Sequence, residues 1–238
     1  MKKIISLGAG IQSSAMILMA ENGFIEKPDL AIFSDTQDEL PETYEWIENL
    51  KNKTSIKIVT VTAGQLSESI LNGAYYIEIP FRGSEGGLGM RQCTDRFKIR
   101  PLRNYLRTHF KKESFEIWLG ITTDEAHRMK DSPVKYCTNR YPLIENGFSR
   151  SNCESWLRKN GHPVPPKSAC FFCPFHRNSH WKQMKNRPEW ETIEKIDKKL
   201  NLEGKFLHVS KKPINDIDLE SQQELFGFGN ECEGFCGT

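Results

Sequence analysis

Lys2-Lys3-Ile4-Ile5-Ser6-Leu7-Gly8-Ala9-Gly10-Ile11-Gln12-Ser13-Ser14 is the stretch from which the rest of the chain is read. Ile4, Ile5 and Leu7 make the short apolar run of a buried parallel strand. Gly8 and Gly10 then let the backbone turn sharply and bring its N–H groups close to a ligand, which a Cβ would obstruct. Ser13 and Ser14 follow, and Ala15 to Met19 read as the first turns of a buried helix. A helix N-terminus with hydroxyls and free amides is an anion site. It is not the Walker form, because no G-K-[ST] follows the loop. Taken alone, the stretch also fits a plain strand–turn–helix.

Working outward, helix one ends near Glu21-Asn22-Gly23, with Gly23 as the residue just past the cap. Leu30 to Phe33 is a second buried strand, and its C-terminal end delivers Ser34-Asp35-Thr36. Pro41 at a first helical position starts a helix over 42–52, and 56–61 is a third strand. This βαβαβ rhythm predicts an α/β fold with a doubly wound, mostly parallel sheet. Ligands of such sheets bind beyond the C-terminal strand ends, where the first loop and Asp35 both emerge. Asp35 is therefore read as a carboxylate beside a nucleotide, on Mg²⁺ or ribose, with a helix-capping aspartate as the alternative.

The chain's 238 residues form one large α/β domain, or a domain with a small appendage. A boundary near residue 145 divides a nucleotide-binding portion, 1–145, from a helical, cysteine-bearing C-terminal portion, 146–238. Thirty-three basic residues against 31 acidic give +2, so no global charge argues for nucleic acid or membrane. A mean hydropathy of -0.57, with no long apolar run, predicts no membrane span. Two lysines run directly into a strand without a signal-peptide pattern. Seven cysteines in that context predict metal or redox duty in a reducing, cytoplasmic compartment.

Three further clusters stand out. The segment 73–96 is glycine-rich and leads into a cationic helix over 99–110, so Arg91, Arg96, Lys98, Arg100, Arg103 and Arg107 are either a solvated face or anion contacts. Phe115 to Leu119 is a fourth strand, followed by the polar loop Gly120–Arg128, where Glu125 and Arg128 are either a surface pair or an anion-binding guanidinium with its orienting carboxylate. The most specific cluster is Cys170-Phe171-Phe172-Cys173-Pro174, a turn that presents two thiolates to one metal. Cys93 and Cys153 are the expected further ligands, Cys153 near the start of a helix capped by Ser151, with Cys137 behind them. His176 and His180 offer a zinc alternative, a thioredoxin-like dithiol lacks its βαβ context, and plain core cysteines are the structural alternative. Residues 188–200 read as a charged amphipathic helix and 206–209 as a short strand. The glycine-rich tail carries Cys232 and Cys236, as a redox pair, a nucleophile or further ligands.

Together these pieces resemble the phosphoadenosine-phosphosulfate (PAPS) reductase family of the adenine-nucleotide α-hydrolase, or PP-loop, superfamily. Gly8-Ala9-Gly10-Ile11-Gln12-Ser13 stands where that family has S-G-G-x-D-S. Residues 33–43, Phe-Ser-Asp-Thr-Gln-Asp-Glu-Leu-Pro-Glu-Thr, are similar to its F-x-D-T-G-x-E-x-P-E-T. Cys93-Thr94 through Lys98-Ile99-Arg100-Pro101-Leu102 looks like C-[CT]…K-[IV]-x-P-[LI], and Gly120 to Arg128 is similar to G-I-x-x-[DE]-x-x-R.

The resemblance implies an adenine nucleotide, ATP or PAPS/APS, held over the first loop by Gly8, Gly10, Gln12, Ser13 and Ser14. Asp35 and Thr36 contact the nucleotide or its Mg²⁺, Gly120 and Arg100 complete the cofactor site, and Lys98 and Arg128 neutralise the leaving anion. It implies a [4Fe–4S] cluster, or zinc, on Cys93, Cys153, Cys170 and Cys173. The preferred activity is ATP-dependent adenylation with sulfur transfer to an acceptor such as nucleic acid, fed by a sulfur-donor protein of the cysteine desulfurase kind. The alternatives are a PAPS/APS reductase using Cys232 with a thioredoxin-like reductant, and a catalytically silent nucleotide-binding regulator. Gln12 in place of the loop Asp, Ala9 in place of a Gly, and a tail unlike the reductases' E-C-G-L-H are the departures.

Overall fold

The computed structural model describes residues 1–73, 78–111 and 113–220. In chain order its elements are β1 (Lys2–Leu7), α1 (Ile11–Glu21), β2 (Leu30–Asp35), α2 (Pro41–Lys53), β3 (Ile58–Thr62), α3 (Leu66–Asn72), β4 (Arg82–Gly83), α4 (Arg100–His109), β5 (Phe115–Trp118), β6 (Cys137–Arg140), α5 (Pro142–Glu145), α6 (Arg150–Lys159), α7 (Asn178–Met184), α8 (Trp190–Asn201) and β7 (Lys205–Phe206). A π-helical segment, Thr94–Ile99, runs straight into α4, and a 3-10 segment, Thr123–Arg128, follows β5.

Five strands form one parallel sheet in the order β3-β2-β1-β5-β6. The order reverses at β1, so the chain winds both ways and covers both faces of the sheet. Strand alternation assigns the side chains. Ile5, Leu7, Ala31 and Phe33 pack with Met16, Trp46, Leu50 and Leu157 of α1, α2 and α6. Ile4, Leu30, Ile32 and Ile117 pack on the opposite face with Leu102 and Leu106 of α4. The pairing of Leu7 with Phe33 sets the loop after β1 beside Ser34-Asp35-Thr36. A third apolar cluster, around Phe171, Phe172, Trp181 and Ile193, joins α3, α7 and α8. No described helix is long and apolar enough to cross a membrane.

The α/β doubly wound reading agrees with this architecture, and several boundaries move. Pro41 is the first residue of α2, and Gly23 follows the α1 cap at φ 72, both as expected. β3 begins at Ile58, where its pairing with Ala31 starts, and not at Ile56. The cap of α6 is Ser149, not Ser151. The Ser149 hydroxyl accepts from the Asn152 amide at 3.2 Å, and Asn152 Oδ1 accepts from the Ser149 amide at 3.0 Å, a capping box with Asn in the usual Glu position. The short strand expected over 206–209 is only Lys205–Phe206, and it pairs antiparallel with Arg82–Gly83. The sheet also gains β6, Cys-Thr-Asn-Arg, whose single apolar residue leaves no hydrophobic run to read. An edge strand with one neighbour needs no more.

Candidate functional site

The loop between β1 and α1 is shaped by its own backbone. Ala9 is fully buried at φ 61, a conformation that glycine adopts without strain and alanine does not. Gly10, extended at φ -84 and ψ -175, is the N-cap of α1; no side chain caps the helix and its first turn holds no acidic residue. Its leading N–H groups and the positive end of its dipole are therefore directed at the space beyond the strands. Ser13 braces the turn, its Oγ accepting from the Gly8 amide at 3.2 Å and donating to the Gly10 carbonyl at 3.5 Å. Ser14, expected on the phosphates, instead accepts from the Trp46 indole at 2.8 Å and ties α1 to α2.

Gln12 is 2% exposed and sits in a chain of polar contacts. Its Oε1 accepts from Arg150 Nη1 at 3.1 Å, and its Nε2 donates to Glu125 Oε2 at 3.3 Å. Glu125 also pairs with Arg128, and both side chains are largely buried. Two guanidinium groups thus converge near the start of α1, one from the 3-10 segment after β5 and one from the first turn of α6. Gly120, also buried, joins β5 to that 3-10 segment. Sequence reasoning missed Arg150; its only signal is a basic residue in a first helical turn, which says nothing about a loop 138 positions away.

At the end of β2, Asp35 turns its carboxylate on its own chain. Its Oδ1 accepts from the Gln37 amide at 2.8 Å and from the Tyr44 hydroxyl at 3.0 Å. Gln37, at φ 60, is a second non-glycine residue in the left-handed region. Thr36 is fully buried, with its hydroxyl 3.2 Å from Cys170 Sγ. Asp38 accepts from the Ser67 amide at 2.6 Å and its hydroxyl at 2.7 Å, bracing the first turn of α3. Glu39 lies 3.6 Å from the buried Lys98 ammonium and accepts from Ser168 at 3.2 Å. Lys98, expected on an anion, is thus paired inside the protein. Arg100 pairs with Asp95 at 2.7 Å on the exposed face.

The Cys170 thiol is held well above its ordinary range, first by burial and then by the Glu39 carboxylate, with Lys98 and the Thr36 hydroxyl pulling the other way. Cys93 lies within electrostatic reach of it. Cys153, the expected fourth ligand, lies elsewhere: fully buried on α6 with Leu157, it packs in the α1–α2 cluster, whereas Cys93 and Cys170 border the α3–α7–α8 cluster. His176 and His180 stack 3.4 Å apart, and each brings Nε2 to a backbone carbonyl, of Cys170 at 2.9 Å and Phe171 at 3.0 Å. A carbonyl only accepts, so both Nε2 atoms carry protons and brace the Cys170–Cys173 turn. Burial keeps both rings neutral, lowering His180 to about 4. Among the described residues no group of three His, Cys, Asp or Glu side chains is arranged to hold a metal ion. The described donors therefore do not fit a cluster or a zinc site. Cys232 and Cys236 lie outside the described residues.

Comparison with known proteins follows the same lines. The family model described as "Phosphoadenosine phosphosulfate reductase domain" matches residues 2–146. An uncharacterized nin region protein of Escherichia phage lambda, ORF290, is 23% identical over 194 residues, an alignment taking in 73% of this chain and 66% of that protein's length. A phosphoadenylyl-sulfate reductase from Candida auris, solved as a phosphate complex, shares the fold with a TM-score of 0.50 at 12% identity, over 69% of this chain and 75% of that one. The U34-tRNA thiolase NcsA from Methanococcus maripaludis, solved with its [4Fe-4S] cluster, aligns over 100% of this chain and 80% of that one at 14% identity, with a TM-score of 0.39.

Proposed function

The chain belongs to the phosphoadenosine phosphosulfate reductase domain family, and from that premise we propose that it is a PP-loop enzyme of sulfur chemistry. It holds the phosphates of an adenine nucleotide across the amides of Gly8, Gly10 and the first turn of α1. The observation that carries this reading is the half-buried Cys170 with its thiol against Thr36, at the end of the strand beside that loop. A phosphate cradle and a sulfur nucleophile then share one edge of the sheet.

The first reading is ATP-dependent adenylation. An acceptor oxygen, of a nucleic acid for instance, attacks the α-phosphorus; the bond to the bridging oxygen breaks and pyrophosphate leaves. A sulfur nucleophile, recharged by a sulfur-donor protein, then displaces AMP from the acceptor. The loop amides and the Ser13 turn hold the phosphate, and Arg128 offsets charge that builds on the leaving group. Lys98 favours the Cys170 thiolate while burial and Glu39 oppose it more strongly, so the thiol rests protonated. A [4Fe–4S] cluster or zinc would require Cys153 to join Cys93, Cys170 and Cys173, or tail cysteines to supply the missing donors; the reading does not depend on either.

A second reading is favoured by the loop itself. Gln12 provides no carboxylate for Mg²⁺, which suits an adenylyl sulfate arriving as a bare anion. A cysteine thiolate, Cys232 on the tail, would attack the sulfate sulfur and expel the nucleotide as its phosphate, and an external thiol would release sulfite and leave a disulfide.

Reduced protein incubated anaerobically with ATP and acceptor RNA, and separately with adenylyl sulfate and a dithiol, tests both. Pyrophosphate supports the first reading and sulfite the second. Tight binding with neither product would make the chain a silent nucleotide-binding regulator. Gly10→Val with Ser13→Ala should abolish nucleotide affinity in calorimetry, and unchanged affinity in the folded double variant would refute the loop contact.

A further inference from the structure

The contacts of Gln12 assign a cation to the loop. Gln12 is the second residue of α1, and its amide is gripped at both ends. An arginine can only donate and a carboxylate can only accept, so the Arg150 and Glu125 contacts fix which end of the amide is oxygen. The amide oxygen is turned to Arg150 and the amide nitrogen to Glu125. A carboxylate at this position would be set against Glu125, like charge to like, in a buried setting where such a pair is costly. The loop is therefore wired for a neutral residue at position 12, one that tethers a guanidinium from α6.

Arg150 is itself held from several sides. Its backbone amide donates to Asp124 Oδ1 at 3.1 Å, Ser149 caps the helix just before it, and Glu154 lies 3.9 Å from its Nε. Its side chain keeps 30% of its surface open, against 9% for Arg128, so it is the more reachable of the two guanidiniums. The leading amides of α1 and this tethered charge attract the same class of group, an oxyanion of phosphate or sulfate.

We infer that Arg150, oriented by Gln12, is the phosphate-binding cation of this loop and takes the place of a divalent metal, so that the chain binds its nucleotide as a metal-free anion. This rests on the proposal that the loop holds an adenine nucleotide. Arg150 acts on the ligand, and Gln12 is a positioning residue acting through it. Either ATP or adenosine 5′-phosphosulfate satisfies the chemistry, since both carry a phosphate oxyanion next to the ribose.

Titration calorimetry of the full chain with each of those two nucleotides, in EDTA and in excess Mg²⁺, tests it. The wild-type dissociation constant for the phosphosulfate is expected to agree within about twofold between the two conditions, whereas that for ATP is expected to weaken in excess Mg²⁺, which sequesters the metal-free nucleotide. Arg150→Gln is expected to weaken binding by about tenfold or more, the scale of one charge-assisted hydrogen bond, with partial recovery in Arg150→Lys. Gln12→Ala keeps the charge but frees it, and should weaken binding less than Arg150→Gln does. The slope of affinity against salt should fall in Arg150→Gln and stay unchanged in Gln12→Ala, a difference a purely structural role would not produce. Binding lost in EDTA, or Arg150→Gln binding as wild type does, would overturn the inference and leave nucleotide binding intact. Failure of the wild type to bind either nucleotide in either condition would bring down both. The wild-type arm needs no variant to fold.

Discussion

Ala9 and Gln37 stand where the family motifs have glycine, and both keep the left-handed backbone that glycine would take, at φ 61 and φ 60. Each costs strain that the surrounding structure must outweigh. Ala9→Gly and Gln37→Gly should each raise stability by roughly 0.5–1 kcal/mol, the relief of strain exceeding the added entropy of the unfolded chain; urea unfolding checks this. Cys170 belongs to the same scale. Burial and then Glu39 hold its thiol high, so Glu39→Gln should lower its titration and speed alkylation by iodoacetamide at mildly alkaline pH. Lys98→Met should do the reverse, because it removes the charge that favours thiolate. Mass-spectrometric mapping of Cys170 across pH reads both, and an unchanged profile would remove the electrostatic account of this thiol.

Helix ends and strand edges decide the element scale. Ser149 and Asn152 exchange bonds across the first turn of α6, the helix that carries Arg150. Ser149→Ala should cost about 1 kcal/mol and Ser151→Ala close to nothing, measured as shifts in the thermal midpoint. Ser151 looked like the cap because the serines are two apart and Glu154, the usual partner residue, stands three beyond the second. The chain instead uses Asn152 from the first. β6 was hidden for a comparable reason: its place in the sheet comes from pairing with β5, from Phe115↔Cys137 to Trp118↔Arg140, not from apolarity of its own.

For the whole molecule, the buried His176 and His208 and the half-buried His180 set the acid limb of stability. Burial lowers His176 well below its ordinary range, and lowers His180 and His208 to about 4, the charge of Arg82 adding to the effect on His208. An unfolded histidine takes its proton below about 6.5, so between there and about 4 the unfolded state binds more protons than the folded one. Stability should therefore fall as pH drops through that window. Asp38 and Asp197, raised mainly by burial, bind protons more readily when folded and oppose the loss as pH nears the carboxylate range. Urea midpoints from pH 7 down to about 4 should decline, and His208→Gln should flatten the curve. A flat wild-type profile would contradict neutral burial of these rings.

The sequence by itself determined the parallel sheet, the turn at Gly8–Gly10, the arrival of Asp35 and Thr36 beside it and the start of α2 at Pro41. These follow from periodicity and local backbone preference, which act over a few residues. Only the tertiary structure decided that Ser14 meets Trp46, that Lys98 pairs with Glu39, that Cys153 packs apart from Cys170, and that Gln12 holds Arg150. Such partnerships join segments far apart in the chain, so they depend on how the helices dock on the sheet, and no local pattern encodes which polar groups docking brings within a hydrogen bond.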